Sequence, residues 1–398
     1  MLKSKNFSIN SKNFYQNLKK TKKIFNKLKL DLKNSNSPLL ESYDRDYEFD
    51  FSTSMIRKFS KYNNIIIFGM GGSVLGAKCI YSFFKKKIKK TVFFFDNLDS
   101  NLHFHFKKIK NLKNSCFVVI SKSGNTIETI SNLSIIFAKS LLKNKLVVIT
   151  ELKDSSLIDI CNKINAEIIE HKDFIGGRYS VLSEVGMFPA ALMGLNIQKF
   201  KNVKKLINNK LFSSLLIKNA ASIYTLYNLG IRNSVILNYD SDLNDLAYWY
   251  QQLIGESLGK KGKGITPIIS PAPKDHHSML QLYLDGPKDK FYTFLGSSGK
   301  SNNKIPRQII PKNMRFLRNK NLNSIVKAQH EATSNIFKLK NIPFRKFIFT
   351  KNKEEELGEI FTFLVLETIV LAHLLNVNPF DQPAVEQVKN KTQEILSN

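Results

Sequence analysis

Ser121, Ser123 and Thr126 place three hydroxyls around Gly124 in the run Ser121-Lys122-Ser123-Gly124-Asn125-Thr126-Ile127-Glu128-Thr129. Hydroxyls and backbone amides gathered at the start of a helix can wrap the oxygens of a phosphate monoester. The free N–H groups point outward there, and the helix end carries partial positive charge. Helix capping with a downstream Glu is the competing use, but one cap consumes one hydroxyl. The run therefore predicts an anion site. A second segment, Phe68-Gly69-Met70-Gly71-Gly72-Ser73-Val74-Leu75-Gly76, has glycines that let backbone amides approach an anion or a sugar. It is not a dinucleotide fingerprint, because Val74 stands where the third glycine belongs, and no Gly-Lys-Ser/Thr follows to make a P-loop. Alone, it serves equally well as a tight strand–helix turn.

Both segments need strands to hold them. Short β-branched and aromatic runs at 65–68, 91–95, 116–120 and 146–150 predict four strands. Helical patterns run from about Val74 and from the hydroxyl loop to Leu142. A second series at 233–237, 265–269, 291–295 and 344–349 predicts four more. Residues 180–194 and 203–228 read as connecting helices, 297–310 as a loop, and 383–396 as a final helix after Asn378-Pro379. Strands alternating with helices predict an α/β fold of two mainly parallel sheets, each flanked by helices. The chain divides accordingly into an N-terminal helical extension (1–45), two α/β units (46–196 and 197–376) and a C-terminal helical tail (377–398).

At 398 residues and 42% hydrophobic content the chain can fill two such cores. The net charge of +29 comes overwhelmingly from Lys spread along the whole length, with no nucleic-acid motif beside it. It reads as compositional bias that draws in anionic substrates, and no nucleic-acid partner is expected. Cys79, Cys116 and Cys161 lie far apart, which excludes a zinc knuckle and fits a reducing, cytoplasmic setting. No run of 18 apolar residues exists, and 360–377, interrupted by Glu367 and His373, predicts a buried helix rather than a membrane span. The Lys-rich first 30 residues lack Arg and an apolar core segment, and predict an amphipathic helix. His103 and His105 could bind metal if they lay on a strand edge, but without a third ligand or carboxylate nearby they read as a packed or solvated pair, and no metal is expected. His330 falls in a helix and is assigned no chemistry.

The Gly-Gly-Ser turn and the Ser-Lys-Ser-Gly-Asn-Thr loop together resemble the sugar-isomerase (SIS) domain. Four further segments resemble the glucose-6-phosphate isomerase family: Gly176-Gly177-Arg178-Tyr179-Ser180-Val181-Leu182-Ser183, Gln252-Leu253-Ile254-Gly255-Glu256-Ser257-Leu258-Gly259-Lys260, His277-Ser278-Met279-Leu280-Gln281 and Asp381-Gln382-Pro383-Ala384-Val385-Glu386-Gln387-Val388-Lys389. The six stand in family order between residues 69 and 389.

The resemblance implies two SIS-type units and cofactor-free conversion of D-glucose 6-phosphate to D-fructose 6-phosphate through ring opening and a cis-enediol. One carboxylate moving a proton between C2 and C1 suits Glu256. A fixed cation for the enediolate oxygens suits Arg178. His277 and Lys389 are implied in ring opening, with His277 preferred to His276 because Gln281 follows it by four residues. Lys389, two helical turns beyond Gln382, is expected to point into the same pocket. Ser121, Ser123 and Thr126, with the Lys122 amide, are implied to hold the phosphate. Gly72 and Ser73 would lie near the sugar hydroxyls, and Gln252 and Gln382 would orient the ligand. The family supplies the ring-opening His from a neighbouring subunit, which implies a homodimer with shared sites. The chain departs from many members at Ser123-Gly124-Asn125, a form similar to SIS enzymes that also accept mannose phosphate, and it is short for the family. A dual phosphoglucose/phosphomannose isomerase and a non-catalytic sugar-phosphate sensor are the alternatives.

Overall fold

The computed structural model describes residues 3–5, 7, 9, 11–137, 145–299, 304–350 and 352–397. The predicted helix end at 138–142 and part of the predicted 297–310 loop lie outside them. Among the described residues, ten strands form two sheets. The first contains β2 (Asn64–Gly69), β3 (Thr91–Phe95), β4 (Ser115–Ile120), β5 (Leu146–Thr150) and β6 (Glu167–Glu170), in the order β3-β2-β4-β5-β6, all parallel. The second contains β1 (Lys3–Lys5), β7 (Asn233–Asn238), β8 (Thr266–Pro271), β9 (Lys290–Ser297) and β10 (Phe344–Phe349), in the order β1-β10-β9-β7-β8. Only β1 runs antiparallel, along the edge beside β10.

β2, β4 and β5 are buried along their whole lengths, as parallel strands covered on both faces must be, which is why 65–68, 116–120 and 146–149 read as unbroken apolar runs. From β2 in the first sheet and β7 in the second, the chain adds one neighbour on one side and the next on the other. Ligands of open α/β sheets sit beyond the carboxyl ends of strands at such switch points. Gly69 of β2 lies opposite Ile120 of β4, so the glycine turn and the hydroxyl loop leave the sheet side by side.

One apolar core runs between the sheets, through the helices Gly72–Phe84, Asn244–Leu258 and Glu354–Leu374. Trp249 packs edge-on against Phe361 at 4.7 Å within it. The Glu354–Leu374 helix is long and apolar enough to cross a membrane, yet its residues are buried in this core, as the sequence predicts. Under the second sheet, Arg345 pairs with Glu367 at 2.6 Å and bonds Thr293 and Tyr250, so a fully buried charge is met on each side. The N-terminal helix Lys12–Lys33 buries Phe14, Phe25 and Leu32, and its Asn17 amide reaches Thr225 at 3.0 Å on the Lys210–Asn228 helix.

Three local expectations change. The predicted helix at 180–194 is a 3₁₀ turn, Gly177–Leu182, followed by a helix, Glu184–Leu192, because Ser183 is extended. The helix at 203–228 breaks at Asn209, whose side chain accepts from the amides of Leu211 and Phe212 and so caps a new helix. His103 and His105 lie in a short helix, Leu102–Lys107, rather than on a strand edge, and His105 stands 3.3 Å from Asp99.

Candidate active site

The glycine turn is built for close backbone approach. Gly71 adopts φ +53°, and a Cβ there would lie 2.9 Å from the Gln252 amide nitrogen. Gly72 is tighter, because a Cβ would fall 2.2 Å from the carbonyl carbon of Gly177 and 2.8 Å from the amide nitrogen of Arg178. Ser180 bonds the carbonyls of both Gly72 and Gly177, at 3.3 and 2.7 Å. The turn after β2 thus fixes the backbone that carries Arg178.

Arg178 is 2% exposed and is the hub of the site. Its Nε donates to Ser257 Oγ at 2.9 Å, and its Nη1 donates to Glu256 Oε2 at 3.2 Å and to Gln382 Oε1 at 2.8 Å. Its Nη2 donates to the carbonyls of Pro379 and of Asp381. The 3₁₀ turn supplies the Arg, the last turn of the Asn244–Leu258 helix supplies Glu256 and Ser257, and the C-terminal segment supplies Gln382. One turn back on that helix, Gln252 donates to Glu256 Oε1 at 2.8 Å. Gln252 Oε1 is buried with no hydrogen-bond partner among the described residues. The Glu256 side chain is 30% exposed, so a held carboxylate faces an opening rather than the core.

The hydroxyl loop follows β4. Ser121 Oγ and Thr126 Oγ1 lie 2.8 Å apart, and the Ser123 hydroxyl accepts from the Asn125 amide at 3.3 Å. Gly124 sits at φ +69°, where a Cβ would also strike Ser155 Oγ at 2.2 Å, so this turn requires glycine twice over. The Lys122 ammonium is turned away, donating to the Asp173 carbonyl at 2.6 Å. The Ile127–Phe137 helix starts directly after the loop.

The other two expected residues lie apart from this cluster. His277 ends a 3₁₀ turn, Lys274–His277, with its ring exposed and no partner among the described residues, whereas His276 is half-buried and bonds Tyr239 OH at 2.7 Å. Burial, then the neighbouring His277, pushes the His276 pKa down. Lys389 does not point into the pocket that holds Gln382, contrary to the helical-spacing expectation. Its ammonium bonds Glu386 on its own helix at 2.6 Å, and that helix, Pro383–Ser397, buries none of its side chains. Helical spacing fixes where a side chain sits around an axis, not what the axis packs against. Among the described residues, no group of three or more His, Cys, Asp or Glu comes together as a metal site.

Sequence reasoning missed four contributors. Ser257 and Tyr179 bond each other at 2.8 Å beneath Arg178, and Lys260 stands 2.9 Å from Asp381. Each lies within a quoted segment beside an expected residue, which was the available signal.

Two mainly parallel sheets flanked by helices and joined through a shared core are the architecture of sugar-isomerase-domain proteins. Residues 53–271 match the phosphoglucose isomerase family model. The chain belongs to that family. Glucose-6-phosphate isomerase of Methanocaldococcus jannaschii is 32% identical over 377 residues, covering 91% of this chain and 92% of that protein. The enzyme of that name from Campylobacter jejuni is 32% identical, covering 87% and 89%. Among solved structures, a hypothetical protein from Thermus thermophilus matches with a TM-score of 0.85 over 100% of both chains at 23% identity. A glucose-6-phosphate isomerase from Chlamydia trachomatis matches with a TM-score of 0.73 at 19% identity, over 86% of this chain and 72% of that one. These two likenesses establish the fold.

Proposed function

We propose that the chain interconverts D-glucose 6-phosphate and D-fructose 6-phosphate. The carrying observation is the carboxylate of Glu256 held 3.2 Å from the buried guanidinium of Arg178, in a chain of this family. Glu256 takes the C2 proton of the open-chain aldose, and the C–H electron pair becomes the C1=C2 bond of the enediolate as charge moves onto O1. The proton returns to C1 after the hydroxyl proton shifts from O2 to O1. Arg178 meets the oxygen charge as it builds, from a position fixed in advance. Gln252 Oε1, a buried acceptor without a partner among the described residues, is left to take a sugar hydroxyl, and Gln382 orients the ligand from the other side. Gly72 and Ser73 line the sugar end. Ser121, Ser123, Thr126 and the Lys122 amide hold the phosphate, a reading supported by the Lys122 side chain being occupied elsewhere.

Residues 46–196 carry the phosphate loop in this reading, residues 197–376 the base, and residues 377–398 Lys389 for ring opening. The assembly is a homodimer, with His277 reaching the neighbour's site. Two observations support it. His277 is exposed and free of partners among the described residues. The Pro383–Ser397 helix carries an apolar stripe of Val385, Val388, Ile395 and Leu396, between 42% and 69% exposed, for a neighbour to cover. The cysteines are free and buried, consistent with a cytoplasmic setting. A sensor would need a phosphate loop but no carboxylate–guanidinium pair.

Deuterium exchange at C2 of glucose 6-phosphate, followed by NMR with a chelator present, tests the chemistry. Glu256→Gln should abolish exchange while binding of sorbitol 6-phosphate persists. Near wild-type exchange in that variant would remove Glu256 as the base.

A further inference from the structure

Lys260 follows Glu256 by four residues, just beyond the end of the Asn244–Leu258 helix. Its side chain is only 9% exposed, and its ammonium donates to the Asn378 carbonyl and stands 2.9 Å from Asp381 Oδ1. Arg178 grips the same short segment from within, through the carbonyls of Pro379 and Asp381 and through Gln382 Oε1. Tyr179 OH adds a bond to the Pro379 carbonyl at 2.9 Å. Residues 378–382 are therefore a strap drawn across the site by two cations. Of its side chains only Pro379 is buried, and Phe380 adds one ring contact to Tyr179 at 5.9 Å, so polar grips supply most of what holds the strap. The strap leads directly into the Pro383–Ser397 helix.

We propose that Lys260 is a positioning residue for the isomerisation: by holding Asn378 and Asp381 it sets where Gln382 meets Arg178 and from where the helix bearing Lys389 departs. This rests on the proposed reaction. Lys suits the task because its stem packs along the protein while its three donors serve a carbonyl and a carboxylate together. Asp381 answers in kind, since the hydrogen bond from Lys260 holds its carboxyl below the usual range. The strap lies at the surface and supports no sheet or core helix, so loosening it should cost rate rather than folding. A group displaced by about 1 Å from its working position loses up to about 100-fold in rate.

The test is Lys260→Met, which keeps the stem and removes the charge, with Lys260→Arg beside it. Lys260→Met should lose about 10-fold or more in kcat/KM with an unchanged melting temperature, and Lys260→Arg should recover most of that loss. The double variant Lys260→Met/Gln382→Ala should lose less than the two single losses combined, because part of each acts through the same contact. Amide hydrogen exchange at residues 380–382 should rise in Lys260→Met, whatever the activity. Unchanged exchange there, additive losses, or a rate loss that follows a falling melting temperature would each overturn the proposal. A wild-type chain without isomerase activity would instead sink the proposed function, with the exchange measurement still deciding whether Lys260 holds the strap.

Discussion

Gly72 and Gly177 touch, and the structure gives them opposite tolerances. A methyl group at Gly72 would lie 2.2 Å from the Gly177 carbonyl carbon, 2.3 Å from its oxygen and 2.8 Å from the Arg178 amide nitrogen. All three are backbone atoms and cannot rotate aside, so restoring ordinary contact requires the two segments to part by about 1 Å, an overpacking strain of about 1–3 kcal/mol. Arg178 rides on the segment that must move. Displacing its guanidinium from the site of developing charge by that distance should cost about 100-fold in kcat/KM. At Gly177 the added methyl would meet only the Gly72 Cα, at 3.8 Å, which is ordinary contact. Gly177 also lies outside the positive-φ residues, so Ala brings no backbone strain. Gly177→Ala should therefore stay within about threefold of wild type. Steady-state isomerisation and melting curves on both variants settle it. A fully active Gly72→Ala, or a Gly177→Ala equally impaired, would refute the reasoning that this contact positions the arginine.

Two further outcomes follow from other parts of the molecule. His171 and His330 are 2% and 7% exposed, and burial pulls both pKa values down to about 4. An unfolded His titrates near 6.5, so between those values the unfolded chain binds more protons. Their stabilisation is full above pH 6.5 and is lost as pH falls toward 4, on the order of 3 kcal/mol for each. Urea unfolding at pH 7 and pH 4.5 should show this loss, and His171→Gln/His330→Gln should lose less over the same interval; an identical pH dependence would refute the assignment. If sites are shared, mixing inactive His277→Ala and Glu256→Gln chains should restore about a quarter of wild-type activity, because half the dimers are hybrid and each has one complete site. No recovery after verified subunit exchange would count against sharing.

The sheets were legible because parallel strands covered on both faces have little choice of composition: 65–68, 116–120 and 146–149 are apolar throughout and fully buried. β6 was not, since its Glu-Ile-Ile-Glu sequence at a sheet edge looks like any short connecting stretch. The hydroxyl loop and the glycine turn could be read from residue types alone. The meeting of Arg178 with Glu256, 78 residues apart, could not. No periodicity links a 3₁₀ turn to the end of a distant helix, and only the family resemblance joined them. Lys260 and Asp381 stayed hidden for a different reason. In a chain with 61 Lys and Arg residues, one more Lys near an Asp carries no signal until its side chain is seen to be buried.

The hydrogen bonds of Arg178 constrain how the proposed reaction can begin. A guanidinium has five N–H donors, and here Ser257, Glu256, Gln382 and the carbonyls of Pro379 and Asp381 engage all five. A sugar oxygen can gain a donor only by displacing one of these acceptors. Ser257 is fully buried, and the two carbonyls belong to the strap that Lys260 also holds, so none of the three can leave cheaply. Glu256 and Gln382 are side chains with a route to solvent, and both sit on Nη1. The exchange therefore falls on Nη1. In the proposed reaction, an oxygen of the open-chain sugar that displaces Glu256 there gains a charged donor and, in the same event, frees the carboxylate to take the C2 proton. Base and electrophile would then be released together, through the substrate that needs both.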